Sequence, residues 1–257
     1  AVLSGAADVG FCGPEAALYV LIGQSSDAPK VFGQLTKRDG SFLVGRFDER
    51  QNFSWDNLSG KEILAGRKGG VPAMTFEYVL KQNGVNATLN YDVAFNMMTS
   101  AFESGIADYC TMFEPSASEY QAAGKGYIVA SVGEKSGEIP YTCFMAKQSY
   151  INENADKVEG LLRAITKAVK FTLENSAQTV AEYLTPYFDG TSLASIKTSV
   201  ENYKKIDAWV SNMAMKESSF TALQNVIENS GELERRVAFN ELILTETANK
   251  VYKEIYA

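Results

Sequence analysis

Two rhythms of apolar and polar residues run along this chain. Over Ala155–Glu174 the apolar positions Val158, Leu161, Leu162, Ile165, Ala168, Val169 and Leu173 recur three or four residues apart, the spacing of one buried helix face. The same rhythm predicts helices over 177–187, 192–210, 219–230 and 240–256, with breaks at Ser218-Ser219 and Gly231. Upstream the pattern shortens. Apolar runs at 9–12, 30–35, 41–46, 62–65, 88–92, 109–113, 127–132 and 141–147 predict strands. Between them, 15–23, 72–82, 94–103 and 114–123 predict helices, 55–60 a short helical turn and 133–140 a loop. Strands alternating with helices, then a helical tail, predict an α/β architecture with helices on both sheet faces.

A near-repeat organises these elements. Ser4-Gly5-Ala6-Ala7-Asp8 precedes an apolar run and then Gly13-Pro14-Glu15-Ala16. Ser104-Gly105-Ile106-Ala107-Asp108 precedes another and then Glu114-Pro115-Ser116-Ala117. In both copies a Gly closes a turn, a short strand follows, and the chain enters a helix whose start holds Pro and Glu. Two equivalent lobes predict a ligand cleft between them. The first lobe is expected over 1–46 plus 140–257 and the second over 54–138, with crossings near 45–53 and 139–141. Four elements precede Ser104 but only three residues precede Ser4. The first lobe is therefore expected to lack its opening strands and helices, on the order of 40–60 residues. Its open sheet edge calls for a preceding segment or for a partner that covers it, for example a homodimer by strand exchange between identical chains; the alternative is a smaller lobe sealed by the helical tail after Ser149.

Composition narrows the chemistry. There is no histidine, which removes Ser-His-Asp and Cys-His nucleophiles and the commonest zinc ligand. The three cysteines lie far apart, without metal-ligand spacing, and read as buried free thiols. The net charge is −7, with no basic stripe interleaved with aromatics, which argues against nucleic-acid binding. No apolar run approaches the roughly 20 residues that span a bilayer. The first residues do not form a signal peptide.

Candidate ligand contacts fall where strands end and helices begin, since ligands of open α/β sheets sit beyond the strands' carboxyl ends. Gly13, Pro14 and Glu15 form one such start, Gly69 and Gly70 with Arg67, Lys68 and Pro72 a second, and Phe113, Glu114 and Ser116 a third. Two glycines allow close backbone approach, and Arg67 or Lys68 offers a cation to an anionic ligand. An ordinary strand-to-helix turn with solvated side chains reads the same way. Glu15 and Glu114 are equivalent acids, suited either to ligand amino groups or simply to helix N-termini. Phe11, Phe113 and Tyr141 could stack on a planar ring. Arg38, in the loop 36–41, and Glu138 with Tyr141, near the second crossing, complete the set.

The run Leu3-Ser4-Gly5-Ala6-Ala7-Asp8-Val9-Gly10-Phe11-Cys12-Gly13-Pro14-Glu15-Ala16 resembles a characteristic stretch of the ABC-transporter solute-binding proteins. The subgroup concerned handles sulfonates, taurine, nitrate and thiamin-pyrimidine precursors. Leu58-Ser59-Gly60-Lys61 resembles its entry to the second lobe, and Phe113-Glu114-Pro115 its aromatic-Glu-Pro helix start. The resemblance covers 1 to about 190 and implies a two-lobed, type II periplasmic-binding-protein-like fold with a mixed sheet in each lobe. It implies a non-enzymatic, extracytoplasmic component, either periplasmic or lipid-anchored to the cell surface, that delivers a small molecule to an ABC permease, with no cofactor and no metal. A thiamin-pyrimidine-precursor-like ligand is the leading expectation. The alternatives are a sulfonate-, taurine- or nitrate-type anion, or an enzyme or receptor sensory domain of the same fold. The histidine and cysteine-rich motif of the thiamin-pyrimidine synthases are absent, so that activity is not implied.

Overall fold

The computed structural model describes residues 1–23 and 26–257. The first part of the chain runs β1 (Gly10–Cys12), α1 (Pro14–Ile22), β2 (Pro29–Thr36), β3 (Phe42–Gly45), β4 (Glu62–Leu64), α2 (Val71–Gln82) and β5 (Thr88–Asn90). It continues with α3 (Met98–Glu103), β6 (Tyr109–Met112), α4 (Ser116–Ala122), β7 (Tyr127–Ser131), α5 (Val132–Ser136) and β8 (Thr142–Lys147). Helices follow: α6 (Gln148–Glu153), α7 (Ala155–Glu174), α8 (Ala177–Leu184), α9 (Leu193–Lys205), α10 (Glu217–Asn229), α11 (Phe239–Leu242) and α12 (Glu246–Tyr256). The chain divides into two compact units. Unit 1 comprises 1–38, 138–176 and 207–257, and unit 2 comprises 39–137 and 177–206.

Unit 1 holds the sheet β1-β8-β2, in which β8 runs antiparallel to both neighbours. Val158, Leu162 and Val169 of α7 are buried, and Val158 and Leu162 pack with Phe32, Phe144, Val210, Met213 and Val251. Leu173, expected on the same face, is exposed at the helix end. Ion pairs from Arg163 to Glu254 (2.6 Å) and Lys250 to Glu159 (2.7 Å) tie α7 to α12. The outer edge of β2 is sealed by irregular chain. Lys37 N donates to Ala208 O (2.8 Å), Val210 N to Leu35 O (3.1 Å), and Gln34 N to Met213 O (2.8 Å). This is why the helix expected over 192–210 stops at Lys205. Leu244 N donates to Val31 O (2.8 Å) in the same way, which splits the helix expected over 240–256 into α11 and α12.

Unit 2 holds a mixed sheet of order β5-β4-β6-β3-β7. β4 lies parallel to β5 and β6, while β3 lies antiparallel to β6 and β7. Leu43, Ile63, Phe76, Val79, Tyr109 and Val132 form its core. The near-repeat is visible in this topology. Each unit has a strand-helix-strand passage (β1-α1-β2, β6-α4-β7) whose two strands flank one antiparallel strand, β8 or β3. Gly5 and Gly105 both hold left-handed backbone, with φ of 75° and 96°.

Three boundaries differ from expectation. β3 belongs to unit 2, because Phe42 pairs with both Met112 and Ser131. Residues 177–206 of the expected first-lobe tail belong to unit 2, because α9 packs on α4. The expected loop at 133–140 begins as α5, whose N-cap Ser131 accepts from Glu134 N (3.1 Å). Gly133 is required there, because a Cβ would fall 2.0 Å from Asp39 O.

Asp39 is fully buried. Its Oδ1 accepts from Ser41 N (2.7 Å) and Ser41 Oγ, while Oδ2 has no partner among the described residues. Burial outweighs the Ser41 hydrogen bonds and pushes the carboxyl up to about 7. The raised value means that this group's contribution to stability is full below about pH 4 and is lost as pH rises through 7. Asp39→Asn cannot ionise and keeps the Oδ1 acceptor. Its stability relative to the parent should therefore rise between pH 4 and pH 8, by on the order of 4 kcal/mol at most. Denaturant melts at the two pH values measure this, and a pH-independent difference would contradict it.

Candidate ligand-binding site

In unit 2 the parallel strands β5, β4 and β6 all release their loops at the same carboxyl edge. The loop after β4 carries Gly66, Arg67, Lys68, Gly69 and Gly70 into α2. The loop after β5 carries Phe95, and the loop after β6 carries Phe113 and Glu114 into α4. The three loops meet. The Phe95 and Phe113 rings lie 5.9 Å apart, and a Cβ on Gly66 would stand 4.0 Å from Phe95. A Cβ on Gly40 would stand 3.4 Å from both Phe113 and the Tyr203 hydroxyl. Phe95 is 59% exposed and Met97 is exposed beside it, so the edge presents an apolar surface to solvent.

The two helix starts at this edge are dressed differently. At α4 the Glu114 carboxylate is consumed internally. It accepts from Ser118 N (3.0 Å), Ser118 Oγ (2.7 Å) and Asn202 Nδ2 (2.5 Å). The Glu114 backbone N–H donates to the Tyr203 hydroxyl (3.1 Å). Ser116, the first residue of α4, is exposed. At α2 the N-cap is Gly70, with no side-chain cap and no acid in the first turn. Gly69 takes φ of 75°, which favours glycine, and Gly70 N closes the turn onto Arg67 O (3.2 Å). Arg67 and Lys68 are exposed, and neither forms an ion pair with a described residue. This end of α2 thus offers the positive end of the dipole and two cations.

Unit 1 has its own strand-to-helix turn. Phe11 is 55% exposed on β1 and stacks on Phe144 with centroids 4.7 Å apart. Gly13 caps α1, Pro14 opens it, and the buried Glu15 carboxylate folds back over Gly13, where a Cβ would lie 1.9 Å from Oε2. Cys12, expected to be buried, is exposed because β1 is an edge strand, while Cys143 opposite it is buried. Elsewhere in unit 1, Glu138 lies between Lys37 (3.8 Å) and Lys216 (3.0 Å). Tyr141 N donates to Thr36 O (3.2 Å), and Arg38 ends the unit's first segment.

The structure thus gathers Gly69, Gly70, Phe113 and Glu114 at one edge of unit 2, and Gly13, Pro14 and Glu15 at one turn of unit 1. Sequence reasoning missed Phe95, Asn202 and Tyr203. Asn202 and Tyr203 sit on a helix far along the chain, and nothing in their local pattern announces a partner at Glu114. Among the described residues no cluster of acids or cysteines suits a metal ion, and no helix is long and apolar enough to cross a membrane.

The internal use of Glu114 is testable. Glu114→Ala leaves Ser118 and Asn202 without their acceptor, and should cost about 1–3 kcal/mol of stability. Glu114→Gln, which keeps one acceptor oxygen, should cost less. An unchanged melting temperature for Glu114→Ala would mean that the carboxylate is available to a ligand instead.

Comparison with known proteins assigns the family. The model of the NMT1-like family matches residues 3–185, and the chain belongs to that family. The chain is 39% identical over 257 residues to the inferred binding protein YtlA of Bacillus subtilis (strain 168), covering 98% of this chain and 77% of that one. It is similar in structure to the nitrate-binding protein NrtA of Synechocystis PCC 6803, with a TM-score of 0.77, 13% identity and coverage of 99% and 76%. It is likewise similar to the alkanesulfonate-binding protein SsuA of Xanthomonas axonopodis pv. citri bound to MOPS, with a TM-score of 0.74, 18% identity and coverage of 94% and 81%. A ligand-binding component of an ABC-type import system from Staphylococcus aureus, with zinc bound, gives a TM-score of 0.75 at 14% identity, with coverage of 98% and 81%. At these identities the three structures speak for the fold alone, which is that of the periplasmic binding proteins.

Proposed function

We propose that this member of the NMT1-like family is the extracytoplasmic solute-binding component of an ABC-type importer, handing a small organic anion to a membrane permease. The role is binding, without turnover. Its support is the relationship to YtlA, a protein named for binding, and the likeness in fold to proteins named for nitrate and alkanesulfonate binding and for ABC-type import. The ligand class rests on one observation: the α2 N-terminus has no acid of its own and is flanked by Arg67 and Lys68. An acidic group on the solute would meet the positive end of the helix dipole and these cations. An apolar portion would lie against Phe95 and Phe113.

The thiamin-pyrimidine-precursor reading relied on Glu15 and Glu114 as acceptors for ligand amino groups. Glu114 is already committed to Ser118 and Asn202, and Glu15 is folded over Gly13, which favours the anion reading. The exposed ring of Phe95 still suits a planar solute, and a planar acid satisfies both observations.

A thermal-shift and calorimetric panel of nitrate, methanesulfonate, benzenesulfonate and an aminopyrimidine separates the readings. An anionic member should bind and raise the melting temperature. The Arg67→Ala/Lys68→Ala double variant should lose at least about tenfold in affinity, the scale of one charge-assisted contact. Tight binding of the aminopyrimidine, unaltered in the double variant, would overturn the anion reading.

A further inference from the structure

Three sulfur-bearing side chains share one face of the unit 1 sheet. β1 and β8 run antiparallel, in the register Gly10 with Met145, Phe11 with Phe144 and Cys12 with Cys143. Side chains alternate along a strand, and facing residues of paired strands lie on the same side. Phe11 and Phe144 occupy one face, where their rings stack. Cys12, Cys143 and Met145 occupy the other. The contacts agree: Cys12 Sγ lies 3.7 Å from Met145 Sδ, and the Met145 side chain covers Gly10, where a Cβ would meet its Cγ at 3.1 Å.

Cys12 and Cys143 are thus directly opposed. Facing residues of an antiparallel pair have Cα atoms about 4.5–5.5 Å apart, within the roughly 4.4–6.8 Å that a disulfide spans. Both thiols are free, and they differ in access. Cys12 ends an edge strand and is exposed, while Cys143 lies in the central strand, between Cys12 and Gln34, and is fully buried. Burial first, and then the Glu15 carboxylate, raise both thiols above their ordinary range. The pair is therefore slow to ionise, and attack begins at Cys12, which solvent reaches. The third cysteine, Cys110, is buried in β6 of unit 2, in a different sheet.

We propose that Cys12 and Cys143 form a reversible cross-strand disulfide that fastens β1 to β8. The oxidant is a small-molecule or protein disulfide, for which glutathione disulfide is the probe. The Cys12 thiolate attacks one glutathione sulfur, the glutathione S–S bond breaks, and one glutathione thiolate leaves. The Cys143 thiolate then attacks Cys12 Sγ, the mixed disulfide breaks, and the second glutathione thiolate leaves. The two cysteine protons end on the two glutathione thiols, so one protein dithiol is oxidised and one glutathione disulfide is reduced. β1 has three residues and one neighbouring strand, so the bond adds a covalent tie to a short ladder. The loop it closes runs from 12 to 143 and contains all of 39–137, and closing a long loop removes much entropy from the unfolded chain. The pairing shares no residue with the α2 turn and does not rest on the solute reading. An oxidising extracytoplasmic compartment is where such a bond persists.

Oxidation of the folded full chain with excess glutathione disulfide at mildly alkaline pH tests it, read by mass spectrometry and non-reducing peptide mapping. The parent should lose two of its three thiols and two hydrogen masses, with the peptides of Cys12 and Cys143 joined. Its melting temperature should rise by about 5–10 °C over the reduced form, and dithiothreitol should reverse this. Cys110→Ala should form the same bond. Cys12→Ser, at an exposed position that spares the core, should show neither the joined peptides nor the rise. Cys143→Ser should stop at the first step, holding one glutathione on Cys12. A parent that keeps glutathione on Cys12 beside a free Cys143 thiol, that dimerises through Cys12, or that retains all its thiols would overturn the proposal.

Discussion

The site in unit 2 depends on β4 lying parallel and adjacent to β6. Ile63 is in register with Tyr109 and Leu64 with Cys110, and Thr111 Oγ1 donates to Leu64 O (3.3 Å) where the strands end. This pairing delivers the glycine-rich loop at 65–70 and the Phe113-Glu114 turn to one edge, and β5 adds Phe95 from the other side. Antiparallel pairing would send the two turns to opposite ends of the sheet. The buried apolar residues of β4 and β6 hold this arrangement: Ile63, Leu64, Tyr109, Cys110 and Met112 are all shielded from solvent.

The helix starts then divide the work. α1 and α4 each carry a glutamate that turns back on its own helix start or first turns, and so neutralises the positive end from within. α2 carries none and leaves that end to whatever arrives. Two residues far along the chain serve this arrangement. Asn202 draws the Glu114 carboxylate toward α9, and Tyr203 accepts from the Glu114 N–H, so α9 props the loop that presents Phe113.

Much of this was legible in the amino-acid order, and what was not has a physical reason. The periodicity of α7 marked its bounds, and the glycines and prolines before α1 and α2 marked their starts. The pattern at β3 predicts a strand but not its lobe, because a strand reads the same whichever sheet it joins. The segment 207–213 continues a helical rhythm but is drawn out along β2, where its backbone satisfies an edge that local pattern does not reveal. The stretch 133–140, with two glycines and a proline, reads as a loop, although Ser131 and Glu134 carry the spacing of the helix start that opens α5. At the site, Gly69, Gly70, Phe113 and Glu114 were found from their position after strand ends. The use of Glu114 as an internal acceptor was hidden, because its partner Asn202 is a long-range neighbour.

The central claim is that a small solute docks on the carboxyl edge of β4, β5 and β6. Amide hydrogen exchange with and without a bound anionic solute tests it most directly. The account predicts slowed exchange in three separate stretches, 66–71, 94–98 and 113–117, with the rest of unit 2's sheet unchanged. Protection that appears elsewhere in the chain while these three stretches exchange as before would contradict it.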